Sequence, residues 1–143
     1  MKNQQNIVRK LTRADITDNI VIIKVNKSYR EGMSAMELYD ITRGCWMRSL
    51  SSVKDCEYAL AVVNGIVKEV YRIEAWLPAE EVTRETIPYN EKTDARRIAF
   101  QGAVAMENVR KKYLNNSVAE LFKRGEANPV KVIRNSEEKN GHK

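Results

Sequence analysis

Tyr58-Ala59-Leu60-Ala61-Val62-Val63-Asn64-Gly65-Ile66-Val67-Lys68-Glu69-Val70-Tyr71-Arg72-Ile73-Glu74-Ala75-Trp76 decides the fold. Residues 58–63 are apolar throughout, the pattern of a central strand buried on both faces. Asn64-Gly65 supplies the two φ > 0 residues of a type I′ turn, the strongest short hairpin signal. Ile66–Trp76 returns as a long partner strand, stopped by Leu77-Pro78. The pattern predicts an antiparallel hairpin turning at Asn64-Gly65. Strict alternation then puts Lys68, Arg72, Glu74 and Trp76 on one face with Ile66 and Val70. Val67, Glu69, Tyr71 and Ile73 take the other.

Outward from the hairpin, Ile20–Val25 is a dense β-branched run and reads as a strand. Ser34 and Glu37 form a capping box for a helix over Ala35–Ile41, ended by Gly44. Cys45–Leu50 reads as a short strand carrying Trp46. Thr83–Asp94 is polar and irregular. Arg96–Val104 reads as a strand, with Gly102 marking a bulge or a close approach. A short helix is expected over Asn108–Leu114. A second one over Val118–Lys123 is capped by Ser117, with Glu120 completing its box. Pro129 opens a last strand, Val130–Ile133. With no βαβ alternation, these elements predict an α+β domain with two or three short helices. Its mostly antiparallel sheet is expected to curl into a small barrel. The domain is expected over residues 19–134, after a flexible basic arm, residues 1–18, and before a disordered tail, residues 135–143.

The chain has 143 residues, enough for one domain. No apolar run approaches the ~20 residues of a membrane span, and no secretory signal opens the chain. A cytoplasmic location without a membrane partner is expected. Cys45 and Cys56 are too few for a disulfide scaffold or an all-cysteine zinc site. The single histidine, His142, is penultimate, which weighs against Ser-His-Asp, Cys-His and His-rich metal chemistry. No phosphate loop, dinucleotide fingerprint or nucleophile elbow is present, so no cofactor is expected.

Net charge is +6, which suits a polyanionic partner without requiring one. Arg9, Lys10 and Arg13 lie near the start. Arg110, Lys111, Lys112, Lys123, Arg124, Lys131 and Arg134 lie in the last third. Glu80, Glu81, Glu85, Glu91 and Asp94 make the intervening segment acidic. Three groups carry chemical potential. Thr42-Arg43-Gly44-Cys45-Trp46 joins a planar cation to a stacking face, with Trp76 as a second face. Glu69 or Glu74 is placed to accept from a base edge, or to pair with Arg72 or Lys68. Lys123-Arg124-Gly125 offers phosphate contacts at a helix end. Buried-core roles for both tryptophans account for the same residues.

Taken together, Leu38-Tyr39-x-x-Thr42-Arg43-Gly44-x-Trp46, the hairpin, Arg97-x-x-Phe100-x-Gly102 and Gly125-x-x-Asn128-Pro129 carry a resemblance. They resemble the PUA-like superfamily, which includes the ASCH, EVE and YTH domains. The chain is also similar to small bacterial and phage proteins found beside restriction-type systems. The resemblance implies a curved barrel and a nucleic-acid-binding module, often one holding a flipped or modified base. The ASCH Gly-x-Lys element is not matched. The expectation is therefore a non-catalytic module that binds DNA, RNA or a nucleotide. Arg43 and Trp46 would form the pocket mouth, Trp76 a wall, and Glu74 a base contact. Lys123, Arg124, Arg110 and Lys111 would meet phosphates. Two alternatives are a small hydrolase using Glu69 or Glu74 with Lys68, and an accessory protein that binds a host protein.

Overall fold

The computed structural model describes residues 7–135. The fold is α+β, built on one mixed five-stranded sheet. The strands are β1 (Ile20–Lys24), β2 (Tyr58–Val63), β3 (Ile66–Pro78), β4 (Ile98–Val104) and β5 (Val130–Ile133). Their order is β4-β3-β2-β1-β5. The helices are α1 (Ala35–Arg43), α2 (Leu50–Val53), α3 (Glu91–Asp94) and α4 (Glu107–Tyr113), with short 3-10 turns between elements. The hairpin is as the sequence predicts: β2 and β3 pair antiparallel, and the turn has φ 51° at Asn64 and 82° at Gly65. Valine at position 65 would be held at positive φ, so Gly65→Val should cost about 1–2 kcal/mol in a thermal or urea melt.

β1 and β2 run parallel, with Ile20 opposite Tyr58 and Lys24 opposite Val62. The 25–57 connection carries α1 and α2, so a βαβ unit exists that the sequence reading did not find. The capping box marks α1, but the strand expected over Cys45–Leu50 breaks the β–α–β order, and the four-residue α2 is too short to show periodicity. β5 completes the sheet by pairing antiparallel with β1.

The long strand β3 carries two extra residues. Register shifts between Ala61 and Val62 on β2 and between Ile73 and Ala75 on β3 leave Lys68 and Glu74 as bulges. Each bulge reverses the facing of the residues after it. Val67 and Val70 therefore share one core with Leu60, Val62, Leu11 and Ile16, under α4. Tyr71, Ile73 and Trp76 share the other with Ile23, Phe100 and Val130, under α1 and α2. Strict alternation is corrected here: Trp76 lies with Tyr71 and Ile73, not with Lys68 and Arg72. Gly102 is the predicted close approach. A Cβ on it would stand 2.1 Å from the Arg72 carbonyl oxygen, while the bulge itself sits across from it on β3.

The sheet is coiled but not closed into a barrel. β2 begins opposite Arg72, and β3 continues past it to Pro78 with β4 as its partner. In a flat sheet those six residues would run about 20 Å beyond β2. Instead Trp76 and Phe100 pack with Val21, Ile23 and Val130, so this end of β3–β4 folds over the sheet face. Trp46 exchanges backbone hydrogen bonds with Ile98, both 2.9 Å. Two residues on, the Arg48 guanidinium donates to the Val130 carbonyl at 3.2 Å. Residues 46–48 thus link the outer edges of β4 and β5, which have no ladder between them.

Other local expectations are corrected. Trp46 makes a single bridge to Ile98, not a strand. Gly44 does not end α1 in a left-handed conformation. Its φ is −175°, and glycine is required because a Cβ would sit 2.6 Å from Ala99 Cβ. The expected helix over 118–123 is a 3-10 turn, Ala119–Leu121. The expected arm is packed where it is described: Leu11 and Ile16 are buried and Lys10 bridges to Ser117. Residues 1–6 of that arm, and 136–143 of the tail with His142, lie outside the described residues.

Candidate nucleic-acid interface

Arg43 closes the last turn of α1 and is 4% exposed. Its guanidinium lies 4.3 Å from the Tyr39 ring centroid and donates to Gln101 Oε1 at 2.6 Å and to the Thr83 carbonyl at 3.1 Å. Asp40 is one turn back at 3.4 Å, fully buried, and also accepts from Thr86 N and Oγ1, each at 2.7 Å. Arg84 adds a bond to the Gly44 carbonyl and a 3.6 Å pair with Asp94. This network clamps the 83–94 segment to α1. The expectation of Arg43 at a pocket mouth is corrected: the side chain is buried and its two terminal nitrogens are engaged by Asp40, Thr83 and Gln101, although Nε has no partner.

Trp76 stands edge-on to Phe100, with centroids 5.2 Å apart, inside an aromatic cluster with Tyr39 and Tyr71. Its Nε1 is buried without a partner. It is a packing residue, so the expected concave site shared by Arg43, Trp46 and Trp76 does not form. Glu74 is exposed on its bulge and pairs with Arg72 at 3.0 Å. Glu69 accepts from Arg110 Nε at 2.8 Å. That bond also fixes Arg110, which reaches Glu107 as well. Arg110 and Lys111, the expected phosphate contacts, lie on α4 and do not line the cleft beside Trp46.

Of the two tryptophans, Trp46 is the one that lines a described cleft. It is half-buried, and its Nε1 donates to the Thr42 carbonyl at 2.8 Å. That bond orients the indole as a wall of a cleft of about 330 Å³. The opposite walls are Lys24–Ser28, at the end of β1, and Ala127 with Pro129. Glycine at 44 and the Trp46–Ile98 bridge bring the ring there from α1. Asn26 holds the hairpin turn by accepting from Asn64 N at 2.9 Å. Lys27 is exposed and unpaired among the described residues.

The 123–126 loop forms the next part of the rim. Lys123 and Arg124, the expected phosphate contacts, are exposed, and Lys123 lines a neighbouring cleft with Lys24 and Asn26. Glu126 accepts from Lys123 N and from Lys131, and these bonds hold its carboxyl below the usual range. Lys24 Nζ lies 4.1 Å from the Phe122 centroid and donates to the Glu126 carbonyl at 3.1 Å. Lys24, Asn26, Lys27 and Ser28 were missed by sequence reading. The available signal was their position directly after a buried strand, where polar residues line a sheet end.

Asp15, Glu37 and Asp55 are likewise held below their ordinary values, chiefly by Thr12 N–H, Ser34 N–H and Arg134 respectively. A depressed folded-state carboxyl stabilises above its unfolded range and loses that contribution as pH falls through the folded value. Melting temperature should therefore decline below about pH 4, with no carboxylate-driven decline between about pH 5 and 8. Burial pushes the Cys56 thiol up to about 11 and raises Cys45 too, so neither is an activated nucleophile at neutral pH. Among the described residues no cluster of His, Cys, Asp or Glu is suited to a metal, and no helix is long and apolar enough to cross a membrane. Comparison with protein-family models, with curated proteins and with solved structures returned no match.

Proposed function

We propose that this chain is a non-catalytic nucleic-acid-binding module that holds an extruded or modified base against Trp46. The observation that carries the reading is the cleft itself: one oriented indole face, a volume of about 330 Å³, and a rim with Lys24 and Lys27. An indole stacks on any base, and the lysines neutralise the adjoining phosphates. Lys123 and Arg124 extend the positive rim. The PUA-like barrel is kept as part of this proposal. The coiled β3–β4 end and the 46–48 link between sheet edges support it. A cytoplasmic setting suits a nucleic-acid partner and two unpaired cysteines.

The test is fluorescence anisotropy with labelled oligonucleotides at low salt, on wild type and Trp46→Ala, each checked by thermal melting. Stacking is worth about 1–3 kcal/mol per base, so the variant should bind roughly tenfold weaker or worse while still melting cooperatively. Log affinity should fall with log salt by about 0.7–0.9 per phosphate engaged. Absence of affinity for any DNA or RNA, or unchanged affinity in a folded Trp46→Ala protein, overturns the proposal.

A further inference from the structure

The Trp46 cleft is not isolated. A second cleft, about 250 Å³, shares Lys24 and Asn26 with it and is walled by Phe122 and Lys123. A third, about 390 Å³, shares Asn26 and is walled by Tyr29 and Lys68. Asn26 is common to all three. Its side chain is anchored to the hairpin turn through Asn64 N, which fixes the point where the clefts meet.

Each cleft repeats one chemistry, an aromatic ring beside a lysine. Lys24 and Lys131 lie 4.1 and 5.2 Å from the Phe122 centroid. Lys68 lies 5.6 Å from that of Tyr29. Cation–π attraction at these distances holds an ammonium group in place. The acidic groups on the path are Glu126, neutralised by Lys131, and Glu31 at the outer side of the third cleft. The Lys68 bulge belongs here as well, since the extra residue sits beside Tyr29, at the third cleft.

Resting on the base-holding reading above, we infer that the ligand is a single-stranded nucleic acid of at least three nucleotides, threaded from the Trp46 cleft past Asn26 to the Phe122 and Tyr29 clefts. Three clefts that meet at Asn26, each with a ring and a lysine in its lining, match unpaired bases and their phosphates. A duplex keeps its bases stacked on each other and offers no face to Phe122 or Tyr29.

The experiment is an anisotropy series with fluorescein-labelled oligothymidylates and oligouridylates of one to eight nucleotides, and with a duplex of matched length. Affinity should climb steeply up to three or four nucleotides and then level, and the single strand should bind at least tenfold tighter than the duplex. Lys68→Gln, a change at a half-buried cation checked by melting, should lower the salt slope by about 0.7 for a tetranucleotide and leave it unchanged for a mononucleotide. Tyr29→Leu, which keeps an apolar side chain in place, should weaken the tetranucleotide several-fold and the mononucleotide not at all. Affinity that is already maximal at one nucleotide, equal binding of duplex, or a Lys68→Gln slope unchanged at every length overturns the track and leaves the Trp46 cleft standing. Failure to bind any oligonucleotide overturns the base-holding function itself.

Discussion

Asp40→Ala should destabilise the domain by about 3–5 kcal/mol, read as a lowered urea midpoint and melting temperature. The side chain is fully buried and serves Thr86 twice and Arg43 once. Its removal leaves a guanidinium that is 4% exposed, with an Nε that already lacks a partner, facing no negative charge. A domain of ordinary stability, about 5–15 kcal/mol, loses a large fraction at once. The double change Asp40→Leu with Arg43→Met removes both charges together and should cost less than Asp40→Ala alone, since an apolar pair leaves no buried charge unmatched. A loss under about 1 kcal/mol for Asp40→Ala would show that the 83–94 segment is held by other contacts.

Trp76→Ala should cost roughly 3 kcal/mol, the low end for a core tryptophan, because the residue is only partly buried. It would leave Phe100 without the ring it meets edge-on. Trp76→Phe should be far milder. It keeps an aromatic against Phe100 and removes the indole N–H that is buried without an acceptor. Neither change should weaken oligonucleotide binding in protein that remains folded, in contrast with Trp46→Ala. Melting and anisotropy on the same three proteins separate the packing tryptophan from the one proposed to hold the base.

What was legible in the sequence is local. The β-branched run at Ile20–Val25, the Asn64-Gly65 turn, the Ser34–Glu37 capping box and Pro129 before Val130 each act within a few residues. Each names its element to within about two residues. The unread features are long-range. Parallel pairing of β1 with β2 depends on where the long 25–57 connection lands, and the four-residue α2 leaves little trace in periodicity. The bulges at Lys68 and Glu74 are set by Gly102 and by the partner strands. They left one local sign, charges on both faces of β3, and strict alternation misread it. Arg43 illustrates the same limit at the site. Its spacing from Asp40 suits a same-face pair on a helix, but Thr83 and Gln101 complete its burial from 40 and 58 residues away. Trp46 was read at a pocket mouth because its turn is local, and it lines a cleft. Its companions were missed because they come from the ends of β1 and β5.

The position of β1 governs how this protein can be made. Among the described residues it is the first strand in sequence and an interior strand of the sheet, flanked by β2 and by β5, the last of them. Until Val130–Ile133 has left the ribosome, Ile20–Ile23 has one open edge and four side chains destined for complete burial. Contacts between residue 20 and residue 133 are among the most distant in the described chain, so loop closure makes the final step slow. A nascent or truncated chain ending before residue 130 therefore presents a bare apolar strand edge, the template for intermolecular pairing. β5 is only four residues long, yet it is the piece that converts an aggregation-prone intermediate into a protected sheet.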